Sequence, residues 1–230
     1  MTGSIAFRAI LACALLWAGP ALAQSVPTGF ADAGQPTRWP APSTQANVTG
    51  LGTARFGMGP EEVGAAIAAD FGAEAAARLK PDDAQAGRTA IALSLPWLTD
   101  VAPATIAYVF ESERLVQVNV SWAVAGDASD GQRAALAAVA ANVTRNLYAS
   151  FWQPFTATRG KPLGANAVVV FSGEDVMGGG VEVALFGVPY TVQKPDGSRA
   201  ASPRASGEAL LRISYAADIF GRNALRPGDF

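Results

Sequence analysis

Histidine is absent from this chain of 230 residues, and cysteine occurs once, at Cys13. Without imidazole there is no Ser-His-Asp triad, no histidine zinc ligand and no imidazole general base. A single cysteine cannot close an intramolecular disulfide, so stability must come from a packed core. Lysine is scarce too: Lys80, Lys161 and Lys194 are the whole supply, and none stands in a Ser-x-x-Lys motif. An excess of charge of either sign is also missing. The net charge is −2, which leaves no electrostatic footprint for nucleic acid or for an anionic membrane surface.

What is present begins with an export pattern. Arg8 precedes an apolar run from Ala9 to Leu22 that closes on Ala21-Leu22-Ala23. The run is too short and too rich in small residues for a spanning helix, and its small residues two apart suit signal peptidase. The sequence predicts a signal peptide over 1–23, cleavage after Ala23, and a periplasmic or secreted product. A lipid anchor at Cys13, in Ile10-Leu11-Ala12-Cys13, is the rival reading. It would leave about four apolar residues after Arg8, short of the usual 7–15. Loss of the signal removes Arg8 and leaves 16 basic against 19 acidic residues, net −3. It also removes the one thiol, and with it thiol catalysis, iron–sulfur ligation and c-type haem attachment. No later segment is apolar for long enough to span a bilayer.

Residues 24–50 carry Pro27, Pro36, Pro40 and Pro42 with no apolar period, and read as a flexible arm. A single domain is expected over 51–230. Gly59-Pro60-Glu61-Glu62 is a helix start, Val63, Ile67 and Phe71 follow at spacings of four, and Gly72 is a stop. One or two further helical turns are expected between Ala73 and Lys80, before Pro81-Asp82-Asp83. Strands are expected at Thr89 to Leu95, Ala104 to Phe110 and Leu115 to Trp122, the last two forming a hairpin. Ser129 or Asp130 can cap a long helix reaching about Trp152, with Leu136, Val139, Val143, Leu147 and Phe151 along one stripe. Three more strands follow: Ala167 to Phe171, Val181 to Val192 with a break near Gly187-Val188-Pro189, and Ala209 to Ala216. The order predicts an α+β fold. Two helix-then-three-strand units, 51–125 and 126–230, would pack as one globular body, with antiparallel sheet and helices on one face.

The segment Phe56-Gly57-Met58-Gly59-Pro60-Glu61-Glu62-Val63, followed by Ile106-Ala107-Tyr108-Val109-Phe110 and a return strand, resembles the helix-then-meander pattern of small periplasmic modules. The outer-membrane assembly lipoprotein BamE and the β-lactamase inhibitor proteins have that architecture. The resemblance covers about a third of the chain in the first half and only element order in the second. It implies a binding module. An assembly or inhibitory role does not carry over, because the chain lacks the securely placed anchor cysteine of the first family and the disulfides of the second.

Carboxylate pairs could hydrolyse glycosides, and Asp82-Asp83, Glu111 with Glu113, and Glu174-Asp175 are available. Each lies in a turn or loop, where solvated acids are ordinary. Asp127-Ala128-Ser129-Asp130-Gly131 lacks the later bidentate glutamate of a calcium loop and reads as a helix cap. Met177-Gly178-Gly179-Gly180 lacks the Lys-Ser/Thr of a phosphate loop and reads as a strand connection. Thr158-Arg159-Gly160-Lys161 reads as a loop.

The hairpin offers the sharpest expectation. If Phe110 faces Leu115 and partners step together, Tyr108 faces Gln117 and Ile106 faces Asn119. One face then mixes aromatics with amides, and Tyr108, Phe110, Gln117 and Asn119 become a candidate binding surface. The other face, with Val109, Val118, Val120 and Trp122, would meet the core. The competing reading covers the mixed face with the rest of the protein. The sequence therefore predicts an exported, non-enzymatic binding or protein-interaction module, without metal or cofactor, for an unknown protein partner or small ligand. A carboxylate-based periplasmic hydrolase and a structural accessory of the envelope are the alternatives.

Overall fold

The structure is a computed structural model that describes residues 44–82, 87–164, 166–193, 199–201 and 205–219. The signal-peptide and lipid-anchor expectations and most of the arm lie outside these residues, as does Asp83. Thr44–Gln45 pairs in parallel with Ser150–Phe151, and the Val48 amide donates to the Asp175 carboxylate at 2.7 Å.

Helix α1 spans Pro60–Phe71. Proline needs no hydrogen bond at the first position, and the Gly59 N–H donates to Glu62 Oε2 at 2.8 Å, tying down the first turn. Val63, Ala66 and Ile67 form its buried face, and the four-residue α2, Ala73–Ala76, follows Gly72 at φ 89. Four strands come next: β1 Lys80–Asp82, β2 Arg88–Trp97, β3 Thr99–Glu111 and β4 Arg114–Val124. Helix α3, Asp130–Tyr148, is capped by a reciprocal pair: Ser129 N–H donates to Gln132 Oε1 at 2.9 Å, and Gln132 N–H to Ser129 Oγ at 3.3 Å. Strands β5 Thr158–Pro162, β6 Ala167–Glu174, β7 Gly180–Phe186 and β8 Ala209–Ala216 complete one antiparallel sheet of order β1-β2-β3-β4-β8-β7-β6-β5. Among the described residues the main sheet thus has eight antiparallel strands rather than the six expected, with a few helices beside it, an arrangement consistent with an α+β or a mainly β fold. The two added strands are the edges, β1 and β5, whose charged, Gly- and Pro-bearing sequences carry no apolar alternation to announce them.

One face of the sheet carries the core. Ile106, Tyr108, Phe110, Val118, Val120, Trp122, Leu211 and Ile213 form a cluster with Val63 and Ile67 of α1 and Leu136 and Ala140 of α3. Trp122 anchors it, donating its indole N–H to the Trp97 carbonyl at 2.9 Å and stacking on the Trp97 ring at 6.1 Å.

Two expectations are corrected. Helix α3 ends at Tyr148; Leu136 and Val139 are buried as expected, but the buried stripe continues through Arg133, Ala140, Thr144 and Tyr148, leaving Val143 and Leu147 partly buried and Phe151 half exposed beyond the helix. The hairpin register also differs. Phe110 does pair with Leu115, but the ladder then slips by one, so Val109 pairs with Gln117, Tyr108 with Val118 and Ala107 with Asn119. Val116 is the extra residue of a β-bulge, so Val118, Val120 and Trp122 of β4 meet the core as expected, while Ile106, Tyr108 and Phe110 of β3 point to the face opposite the one expected. Tyr108 and Phe110 are therefore core residues at 0% and 1% exposure, while Gln117 and Asn119 lie on the other side of the sheet.

Candidate functional site

The face away from the helices is built from alternate residues of β2, β3, β4, β8, β7 and β6. Register places Ser94 opposite Thr105, Asn119 opposite Ser214, Ser121 opposite Arg212, and Ser214 opposite Glu182. No described helix belongs to this side: Val109, Val169 and Ala184, which are buried here, stand apart from the helix-packed core. At the centre is a polar cluster. Gln117 Nε2 donates to Asn119 Oδ1 at 2.9 Å and to Ser214 Oγ at 2.7 Å, and Ser214 Oγ donates to Asn119 Oδ1 at 2.7 Å. Next to it Arg212 Nη2 donates to Glu182 Oε1 at 2.9 Å, and the guanidinium lies 5.7 Å over the Phe186 ring. Asn119 Nδ2 and Arg212 Nε, both buried, have no hydrogen-bond partner. Ser94, Thr105 and Ala123 form an exposed rim.

Of the four site residues expected from the sequence, the structure brings Gln117 and Asn119 together and sends Tyr108 and Phe110 to the core. Tyr108 Oη is buried without a partner, and burial, then the Asp70 carboxylate, pushes its pKa well above the usual tyrosine value, so the phenol stays neutral. Arg212, Ser214 and Glu182 escaped the sequence reading. Their signal was the alternation in Leu211-Arg212-Ile213-Ser214, which assigns the two polar side chains to the face opposite the core.

The other marked motifs have structural work. The Asp175 carboxylate accepts from the amides of Met177 at 2.8 Å, Gly179 at 3.0 Å and Val48, closing the β6–β7 turn and anchoring the incoming chain. A Cβ on Gly179 would collide with the Val48 carbonyl, and one on Gly180 with the Ile219 side chain, which explains the glycine run by close approach. Asp127 accepts the Gly207 amide at 3.0 Å, and Ser129 caps α3. Glu111 lies 3.9 Å from Arg88. Thr158-Arg159-Gly160-Lys161 is the edge strand β5, with Arg159 stacked 4.3 Å from the Tyr148 ring centre. Among the described residues, no three Asp or Glu side chains come together as a metal-ligating group, and no helix is long and apolar enough to cross a membrane.

No protein-family model, no curated protein and no solved structure matches the chain.

Proposed function

We propose that the protein is an exported, non-enzymatic binding module that recognises a protein partner through the sheet face opposite the helices. The observation that carries this reading is the polar centre of that face, Gln117, Asn119, Ser214, Arg212 and Glu182, with two buried N–H donors left unmet. Folding strongly disfavours such donors, and a bound acceptor would relieve them. The sheet edges support the same choice by elimination. Pro81 in β1, and Lys161 with Pro162 in β5, are the residues that discourage strand addition.

In this reading 51–125 and 126–230 are two similar halves, each with helix before a four-stranded meander, joined through β4 and β8. That order supports the resemblance to the periplasmic helix-plus-meander modules, among which the β-lactamase inhibitor proteins bind a protein. Export rests on the Ala21-Leu22-Ala23 signal and gives a periplasmic or secreted product.

The test is affinity capture from the native periplasm, read by mass spectrometry, with wild-type protein and with the Ser94→Arg, Thr105→Arg double variant. Both sites are exposed, so thermal stability should hold while the retained partner is lost. Equal capture by both proteins would overturn the reading.

A further inference from the structure

Apolar exposure is not spread evenly over the described surface. Of the six large apolar side chains exposed there, Phe151, Phe155, Val176 and Met177 fall in two neighbouring connections, the one from α3 to β5 and the β6–β7 turn. Hydrogen bonds tie the two together. The Gln153 amide donates to the Glu174 carbonyl at 2.8 Å, and the Glu174 amide donates to Thr156 Oγ1 at 3.2 Å. Phe155 is fully exposed at φ 68, a backbone conformation that glycine or asparagine adopts more easily. Its ring buries nothing, so the fold itself gives no reason for a phenylalanine at that position.

Size, polarity and charge choose the occupant. The two phenylalanines together expose about 300 Å², the scale at which an apolar patch on a monomer marks an interaction site. Val176 and Met177 enlarge the patch, yet it stays short of the roughly 800 Å² per side of a stable dimer or protein complex. Backbone donors at the tips are already spent: the Met177 and Gly179 amides go to the Asp175 carboxylate and the Gln153 amide to Glu174. The tips thus offer apolar area with little to orient a protein partner. A bilayer asks for neither fixed shape nor direction.

Charge beside the tips points the same way. Arg145, Arg159 and Lys161 are exposed, and Arg159 lies 4.3 Å over the ring of Tyr148, three residues before Phe151. Against them stands the half-buried Glu174, since Asp175 is buried on its amides and Asp218 follows β8, two strands away. The net charge of −2 gives the whole chain no attraction for an anionic bilayer, and this corner supplies one locally. Apolar tips with basic side chains beside them suit a phospholipid surface, where rings enter the boundary between headgroups and acyl chains and cations meet phosphates.

We propose that the α3–β5 connection and the β6–β7 turn form a peripheral membrane-contact site, which seats Phe155 and Met177 in the interface of an anionic phospholipid bilayer. It is a second surface, separate from the helix-free face of the sheet.

The experiment is flotation of the chain, as its host exports it, with vesicles of phosphatidylcholine made with and without phosphatidylglycerol. The proposal expects flotation with the mixed vesicles, less with phosphatidylcholine alone, and a loss of about fivefold for each of Arg145→Gln and Lys161→Gln. Phe155→Asn combined with Met177→Ser should weaken flotation by about tenfold or more. The same protein should melt no lower than wild type, because asparagine suits a positive φ. A polarity-sensitive fluorophore on Met177→Cys should shift to the blue when mixed vesicles are added, and one on Ala138→Cys, exposed in α3, should not. Absent flotation, equal flotation with both kinds of vesicle, equal flotation of the Phe155→Asn, Met177→Ser protein, or an unshifted fluorophore at residue 177 would each overturn the proposal. A lipid-free dimer or protein complex that this double variant abolishes would also overturn it, since the patch would then be a protein contact.

Discussion

Arg133, buried in the first turns of α3, donates from Nη2 to the carbonyl of Gly207 at 2.7 Å, across 74 residues of sequence. The same guanidinium donates to the carbonyls of Ala128 at 3.1 Å and of Gly187, and Asp127 lies 3.7 Å away. One side chain thus ties the start of α3 to the end of β7 and to the approach to β8. Nonpolar surroundings make such a charge costly unless its donors are filled, and here backbone carbonyls fill them.

Replacing Arg133 with methionine keeps much of the volume and strands three carbonyls. The expected loss is about 3–5 kcal/mol in urea denaturation. A loss under about 1 kcal/mol would show that the three loops are held by other contacts.

Tyr108 gives a two-sided expectation, because its ring is core and its hydroxyl is unmet. Tyr108→Phe should leave stability unchanged or raise it, while Tyr108→Ala should cost about 3–5 kcal/mol through the cavity. Chemical denaturation of both variants checks it. A strongly destabilised phenylalanine variant would mean that the hydroxyl has a partner.

Alkaline pH should unfold the protein through its tyrosines. Burial pushes the Tyr215 pKa up to about 12, and burial, opposed in part by Arg159, also raises that of Tyr148. A phenol whose folded pKa exceeds the unfolded value of about 10 binds more protons when folded, so its contribution is complete below pH 10 and is lost as pH rises through 12. For Tyr215 this amounts to about 2–3 kcal/mol. Absorbance of the phenolate, followed with stability from pH 9 to 12.5, should show late ionisation coupled to unfolding. Ionisation of all four tyrosines near pH 10 in a folded protein would contradict it.

Much of the fold was legible because its elements carry clean periodicity. Pro60–Phe71, the start of α3 and Ala209–Ala216 lie where capping and alternation put them. The site was legible only in part. Leu115 is out of phase with Val118, Val120 and Trp122, and stepping back from Phe110 and Leu115 in strict register carries the aromatics to the amide face. Val116 absorbs the phase error as a bulge, which lets Leu115 and Trp122 share the core side. The broken alternation was a sequence signal for that bulge. Arg133 gave no such signal, since its partners are backbone carbonyls from distant loops.

The claim that the helix-free face is the recognition surface is tested most directly by covalent blocking. The chain after residue 23 has no cysteine, so a thiol placed there is unique. Thr105→Cys puts it on the exposed rim of the proposed face, and Ala138→Cys puts it on an exposed position of α3. Each would be labelled with a bulky maleimide and used to capture the partner from the native periplasm. The account predicts capture lost with the label at residue 105 and retained with it at 138; retention at 105 together with loss at 138 would contradict it.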